Sequence, residues 1–276
     1  MLPVPLSVCI PVRNEGANLP ACLEALNGAV DELVVVDSGS TDDTQKIARE
    51  FGATVLDFKW NGSFPKKRNW ALRNHTFRNP WVLFLDADER VTPAFLNELR
   101  ETLPGTDHAG FWIYFHNWFM GRPLKHGDVF CKLALFRIGT GEYERFPEDS
   151  WSHLDMEVHE YPILEGSVGE IHGRLEHRED RGLAHYIAKH EAYAEWETKR
   201  FQWLQTASPE EWAKFTPRQR FKYKHLNDWW LGPLFFLITY FLKRGFLDGK
   251  AGGTFARLKC RYFMDIRRKI RTTARG

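Results

Sequence analysis

WVLFLDADE, residues 81–89, is five apolar residues running straight into three carboxylates, Asp86, Asp88 and Glu89. An apolar run without alternation is the pattern of a strand covered on both faces, as strands of parallel sheets are. Two upstream segments read the same way: LSVCIPV (6–12), followed by RNEGANL, and ELVVVDSGS (32–40), whose apolar run ends at Asp37. Between them Leu19, Leu23 and Leu26 keep helical spacing. A second helix is expected from Thr41, with Ser40 or Thr41 as its cap and Asp42 and Asp43 in the first turn, where the helix dipole favours negative charge. TVLDF (54–58) reads as a third strand and PKKRNWALRNH (65–75) as a basic helix. Strand and helix in alternation predict an α/β fold with an open, mostly parallel sheet.

After Pro104 the order turns β-rich, through GFWIYFHNWF (110–119), CKLALFR (131–137) and EVHEYPIL (157–164). A long helix is expected from about Leu183 to Gln205, and SPEEW opens another with a capping box, Ser208 to Glu211. Three parts follow: 1–104, 105–180 and a helical 181–276. With 276 residues, 43% of them hydrophobic and 27% charged, the chain is an ordinary globular one, too large to need staples. Its four cysteines, Cys9, Cys22, Cys131 and Cys260, form no CxxC pair, which points to a reducing compartment and away from structural zinc. MLPVPLSVCIPV lacks the basic start and cleavage site of a signal peptide, so a first strand and a cytoplasmic protein are expected.

The net charge of +2 hides an asymmetry: residues 1–210 carry 22 Lys and Arg against 32 Asp and Glu, whereas residues 211–276 carry 16 against 4. In this basic tail, Phe255, Leu258, Tyr262, Phe263, Ile266 and Ile270 fall on helical spacings among Arg and Lys. WWLGPLFFLITYFL (229–242) is 14 almost purely apolar residues, short of the roughly 20 that a spanning helix needs. Together they predict a segment lying on an anionic membrane surface, or else packed as core. No nucleic-acid module accompanies the charge, so nucleic acid is not expected as a partner.

In open parallel sheets ligands lie beyond the carboxyl ends of the strands. Pro11, Arg13, Asn14 and Glu15, then Asp37 and Ser38, then Asp86, Ala87, Asp88 and Glu89 all fall at that edge. No GxGxxG follows the first strand, which argues against a dinucleotide site. Carboxylates hold phosphates only through a divalent cation, and Asp-x-Asp at a strand end presents oxygens to such an ion. The alternative is a solvated loop in which Asp88 or Glu89 caps the helix at Pro93.

In order, spacing and strand placement, SVCIPVRNEGANL, VVVDSGSTDDT and WVLFLDADE resemble the nucleotide-sugar-binding domain of the family 2 inverting glycosyltransferases, which have the GT-A fold. The resemblance implies that Pro11, Arg13, Glu15 and Asp37 hold the nucleotide, with Lys67, Arg68 and Ala87 near the nucleotide sugar. It places Mg²⁺ or Mn²⁺ and the diphosphate at Asp86 and Asp88, with Asp88 as the direct ligand, and matches Lys67, Arg68 and Asn69 to the segment that approaches the nucleotide or phosphates; the alternative for these three is an exposed basic helix face. An inverting transfer needs one general base, and DMEVHEY (155–161) offers Asp155, Glu157, His159 and Glu160. Val158-His159-Glu160 resembles a segment of the lipopolysaccharide-core and exopolysaccharide subgroup that occupies the place where other family members carry Glu-Asp and the base, so Glu160 is assigned that role. The same resemblance puts His177, rather than His172, near the metal or diphosphate; Tyr186 and Lys189 share a helix face whose role stays open.

FLKRGFLDGKAGG (241–253) is similar to the tail of that subgroup. The Gln-x-x-Arg-Trp motif of processive synthases is absent, so one sugar per encounter is expected. The reading implied is a peripheral enzyme on the cytoplasmic face of the inner membrane, moving one sugar from a nucleotide diphosphate sugar to a lipid-linked or lipopolysaccharide-core-type saccharide acceptor. A nucleotidyltransferase and a non-catalytic membrane-bound sugar-binding protein are the alternatives.

Overall fold

The computed structural model describes residues 2–127, 130–145, 155, 157, 160–178, 181–213 and 215–273. The chain forms two compact units, Met1–Asn117 with Val129–Asp180, and Trp118–Asp128 with Arg181–Gly276.

The first unit opens with β1 (Val4–Val12), α1 (Leu19–Leu26), β2 (Val30–Asp37), α2 (Thr44–Glu50), β3 (Thr54–Asp57), α3 (Lys67–Asn74) and β4 (Trp81–Phe84). β5 (Glu89–Arg90), α4 (Pro93–Thr102) and β6 (Gly110–Phe119) follow; β7 (Arg122–Pro123) lies in the second unit, and β8 (Phe130–Arg137), β9 (Gly141–Tyr143), β10 (Pro162–Leu164) and β11 (Val168–Arg178) return to the first. The main sheet runs β3-β2-β1-β4-β8-β6-β11-β5. β3, β2, β1 and β4 are parallel, as their apolar runs predict, and β8 then pairs antiparallel with both β4 and β6, which makes the sheet a mixed one. The fold is α/β, as expected, and its core is the inner apolar residues of these strands, with Leu19, Leu23 and Leu26 of α1 and Phe95 and Leu99 of α4.

The loops after β1 and β2 are laced together. Asn14 accepts from the Thr41 amide at 2.8 Å, and Asp42 accepts from the Gly16 amide at 2.9 Å. Helix α2 therefore starts at Thr44, three residues beyond the expected Thr41, because the side chains of Ser40 and Asp42 are spent on this lacing. Asp37, wholly buried at the end of β2, accepts hydrogen bonds from the Gly39 and Ser40 amides, the Ser40 hydroxyl and the Gln45 amide.

In the second unit, α5 (Gly182–Leu204), α6 (Pro209–Ala213), α7 (Pro217–His225), α8 (Leu231–Leu237) and α9 (Gly249–Thr273) pack together. α5 spans nearly the expected stretch, and the Ser208–Glu211 capping box is present, with each residue accepting from the other's amide. Arg200 of α5 is buried against the rings of Trp196, Phe215 and Tyr223, and Glu197 accepts from Lys222 at 2.8 Å. The apolar stripe of α9 is covered within this unit: Phe263 stacks on Phe235 with centroids 4.2 Å apart, and Ile266 and Ile270 are buried. No helix among the described residues is long and apolar enough to cross a membrane.

Burial alone would raise the Asp37 carboxyl, but the hydrogen bonds from Ser40, Gln45 and Gly39 outweigh it and hold the group below its usual range. A carboxyl depressed in this way contributes stability that is complete above its unfolded value, near 3.8, and is lost as pH falls through the lower folded value. Asp37→Ala should therefore destabilise the protein by about 1–3 kcal/mol at neutral pH. In urea titrations the gap between wild type and variant should narrow on acidification; an equal gap at both pH values would contradict this account of Asp37.

Candidate active site

The carboxyl edge of the parallel strands carries Asp86, Ala87, Asp88 and Glu89 in the tight connection from β4 to β5. Glu89 accepts from the Asp86 amide at 3.0 Å and its own amide donates to the Asp86 carbonyl, which closes the turn. Glu89 is fully buried, Ala87 and Asp88 are buried, and 28% of the Asp86 side chain remains accessible. Three carboxylates within four residues of a covered turn repel one another unless cations are brought to them.

Two other elements supply cations, and a third supplies an imidazole. Arg68 of α3 donates to Asp86 Oδ1 at 2.7 Å, and Lys132 of β8 donates to Asp86 Oδ2 and to Glu89 Oε1. His177 of β11 sits opposite Glu89 in the β5–β11 pairing, with its Nε2 3.4 Å from Asp88 Oδ2 and its Nδ1 3.2 Å from Asn117 Oδ1. The titrations follow this geometry. Burial would raise Asp86, but Lys132 and Arg68 drive it well below the carboxylate range. Burial pushes Glu89 up. Burial alone would lower His177, and Asp88 outweighs it, leaving the imidazole raised.

A second acidic group stands on the other side of α3. Glu157 accepts from the Arg68 amide at 3.0 Å and the Asn69 amide at 3.1 Å, so a buried carboxylate caps the helix's first turn. Lys67 pairs with Asp155 at 3.3 Å and donates to the Val12 carbonyl at 2.9 Å; Lys66 lies 3.5 Å from Glu160. Lys67 and Arg68 are thus buried and engaged, not an exposed basic face, and burial lowers Lys67 despite Asp155. Val158 and His159 lie outside the described residues.

At the neighbouring strand ends Pro11 is buried within β1, paired with Val36, and Arg13 is exposed. Glu15 is half-buried and accepts from Asn18 at 2.9 Å. The candidates 11–15, 37, 67–69, 86–89 and 177 therefore all belong to the first unit. Helix α4 is capped by Thr92, whose hydroxyl accepts from the Phe95 amide, so neither Asp88 nor Glu89 is needed as its cap.

Among the described residues no three His, Cys, Asp or Glu side chains converge as a ready metal cage. Asp88 and His177 nonetheless fit a divalent cation: a carboxylate oxygen from the β4–β5 turn and an imidazole nitrogen from β11, the latter oriented by Asn117, face each other and could serve as two ligands to an ion completed by phosphate and water. Asp86 has both oxygens engaged by cations. Lys132 went unremarked in the sequence, although a lone lysine inside the apolar run CKLALFR must find a partner when that strand is buried.

An α/β sheet of this order, with an acidic turn at its carboxyl edge, defines a GT-A-type fold. Residues 7–151 match the family model described as glycosyl transferase family 2, and the chain belongs to that family. Over 93% of its length it is 29% identical to the lipopolysaccharide core biosynthesis glycosyltransferase LpsC of Rhizobium meliloti, covering 91% of that protein. A TPR repeat-containing protein of Synechococcus elongatus is 40% identical over 39% of this chain; the match spans only 26% of that protein. Among solved structures, glucosyl-3-phosphoglycerate synthase from Mycobacterium tuberculosis, in complex with Mn²⁺, UDP and glucosyl-3-phosphoglycerate, matches with 27% identity over 42% of this chain and 44% of that one, at a TM-score of 0.30.

Removing the Lys132 cation while keeping its bulk, in Lys132→Met, leaves Asp86 and Glu89 facing each other and should cost about 1.5–3 kcal/mol in urea unfolding. Adding Glu89→Gln should recover part of that loss. Equal stability of Lys132→Met and wild type would show that the turn does not need this charge.

Proposed function

We propose that the protein transfers one sugar, with inversion, from a nucleotide diphosphate sugar to a hydroxyl of a lipid-linked saccharide of the lipopolysaccharide-core type. The observation that carries this reading is the Asp88–His177 pair beside the Arg68–Asp86–Lys132 cluster at the carboxyl edge of the sheet. The near full-length likeness to LpsC supports the acceptor class.

Asp88 and His177 would hold Mg²⁺ or Mn²⁺, which would supply positive charge for the departing diphosphate. Asp86 serves to fix Arg68 and Lys132, so that fixed positive charge stands at the same edge. The nucleotide side is formed by Pro11, Arg13, Glu15 and the loop that Asp37 organises, with Ala87 in the turn below the sugar. Lys67 holds Asp155 and the end of β1 in place.

Glu160 takes the proton of the acceptor hydroxyl. As that oxygen bonds to the anomeric carbon, the bond to the diphosphate oxygen on the opposite face breaks, and its electron pair leaves with the nucleotide diphosphate. One observation favours a second candidate for the base: the Asp155 side chain is 17% accessible, against 1% for Glu160. Glu157, whose two oxygens cap α3, is assigned a structural role. The lipid of the acceptor places the enzyme peripherally, at the cytoplasmic face of the membrane.

Three variants test this directly. Asp88→Asn should abolish metal-dependent donor binding in calorimetry with an unchanged thermal transition. Glu160→Gln should lower turnover by about 10²-fold or more with donor affinity kept, and Asp155→Asn by less than about tenfold. The reverse order for the last two would move the base to Asp155, and full metal-dependent binding by Asp88→Asn would remove the metal assignment.

A further inference from the structure

The second unit carries an apolar surface that the transfer chemistry does not use. Among the described residues, Leu237, Phe241, Leu242, Phe246 and Leu247 are all exposed, within 11 consecutive positions. They lie on the end of α8, the π-helical turn Ile238–Leu242 and the 3₁₀ turn Gly245–Asp248 that leads into α9. The Phe241 and Phe246 rings are joined through Tyr240, whose ring lies 5.0 Å from Phe241, 6.1 Å from Phe246 and 5.4 Å from Phe236. Single exposed apolar residues are ordinary on a protein surface, but a contiguous group of this size marks a binding face.

The backbone beneath the patch is fixed. Asp248 accepts from the Lys125 and His126 amides at 3.1 and 2.8 Å, and the Gly127 amide donates to the Lys243 carbonyl at 2.8 Å. Thr239 is buried, and a Cβ at Gly245 would lie 2.6 Å from its carbonyl oxygen, so the turn closes only with glycine there. The outward residues are therefore held by contacts on the inner side.

We propose that the 237–247 turn is a preformed wedge that enters the headgroup region of a bilayer containing anionic phospholipid, with the cations of 243–250 meeting lipid phosphate. The occupant follows from charge. Lys243, Arg244 and Lys250 stand within and just beyond the turn, in a segment, 211–276, whose net charge is +12. Such a surface repels a second copy of itself and is drawn to an anionic leaflet, where each cation adds attraction to the buried apolar area. α8 and the π turn together are 12 residues, about 18 Å, which suits shallow insertion and not a crossing. The device is thus the turn, and not the stripe of α9, which is spent on internal packing. This deepens the lipid-linked acceptor reading, yet vesicle binding needs neither donor nor acceptor, so its failure would leave the transfer chemistry standing.

The test is co-sedimentation of the full chain with vesicles of phosphatidylcholine, with and without phosphatidylglycerol. Wild type should bind the anionic vesicles, and moderate salt should weaken binding without abolishing it. Phe241→Ser/Leu242→Ser/Leu247→Ser should reduce partitioning at least about tenfold with an unchanged thermal transition. Lys243→Gln/Arg244→Gln/Lys250→Gln should lose the preference for phosphatidylglycerol. Should the triple serine variant melt early, the single Leu242→Asp, at a position 76% exposed, carries the same comparison with a smaller loss. Wild-type binding by these turn variants, no wild-type binding to any vesicle, or a wild-type dimer that the serine variant converts to monomer would each overturn the proposal.

Discussion

Negative charge gathered in the turn from β4 to β5 is the constraint on which the site depends. Asp86, Asp88 and Glu89 crowd one connection, and Glu89 has no exposed surface at all. Such a turn is stable only where partners reach it, and each comes from a different element: the Arg68 guanidinium from α3, the Lys132 ammonium from β8 and the His177 imidazole from β11. The antiparallel half of the sheet is therefore electrostatically tied to the parallel half. β8 extends the sheet beyond β4 and also places an ammonium where the parallel strands end. β11, held to α4 by the Thr92 hydroxyl and by Glu98, brings the imidazole to Asp88.

α3 links this edge to the segment that carries the candidate bases. Lys66, Lys67 and Arg68 are consecutive, and they meet Glu160, Asp155 and both Asp86 and Glu157, respectively. Arg68 is the hinge of this arrangement: one guanidinium nitrogen serves Asp86 and the other the Glu157 carbonyl, so displacement of either acidic group is felt by the other. In the proposed reaction this couples the side that holds the diphosphate to the side that takes the acceptor proton.

The parallel strands and the acidic turn were legible because uninterrupted apolar runs ending in carboxylates have few other meanings. The start of α2 was not, because Ser40 and Asp42 look like capping residues in one dimension and are claimed by the loop after β1 in three. Lys132 and Asn117 were missed for a related reason. Their partners lie 46 and 60 residues away, a distance that no local pattern encodes. The basic helix at 65–75 was found, but its burial was not, since three adjacent cations read as solvated until the acids that face them are placed. In the tail, helical periodicity correctly marked one apolar face of α9. That face is internal; the exposed apolar surface lies at the end of the 229–242 stretch, which its composition singled out, and in the turn that follows, where no period applies.

The central claim is that this edge binds a nucleotide diphosphate through a divalent cation. It is tested most directly by calorimetric titration of the wild-type chain with a panel of nucleoside diphosphates, in Mn²⁺, in Mg²⁺ and in chelator. Saturable binding of at least one diphosphate is expected with either ion, and its loss in chelator. Binding of none of them under any of the three conditions, or equal binding in chelator, would contradict it.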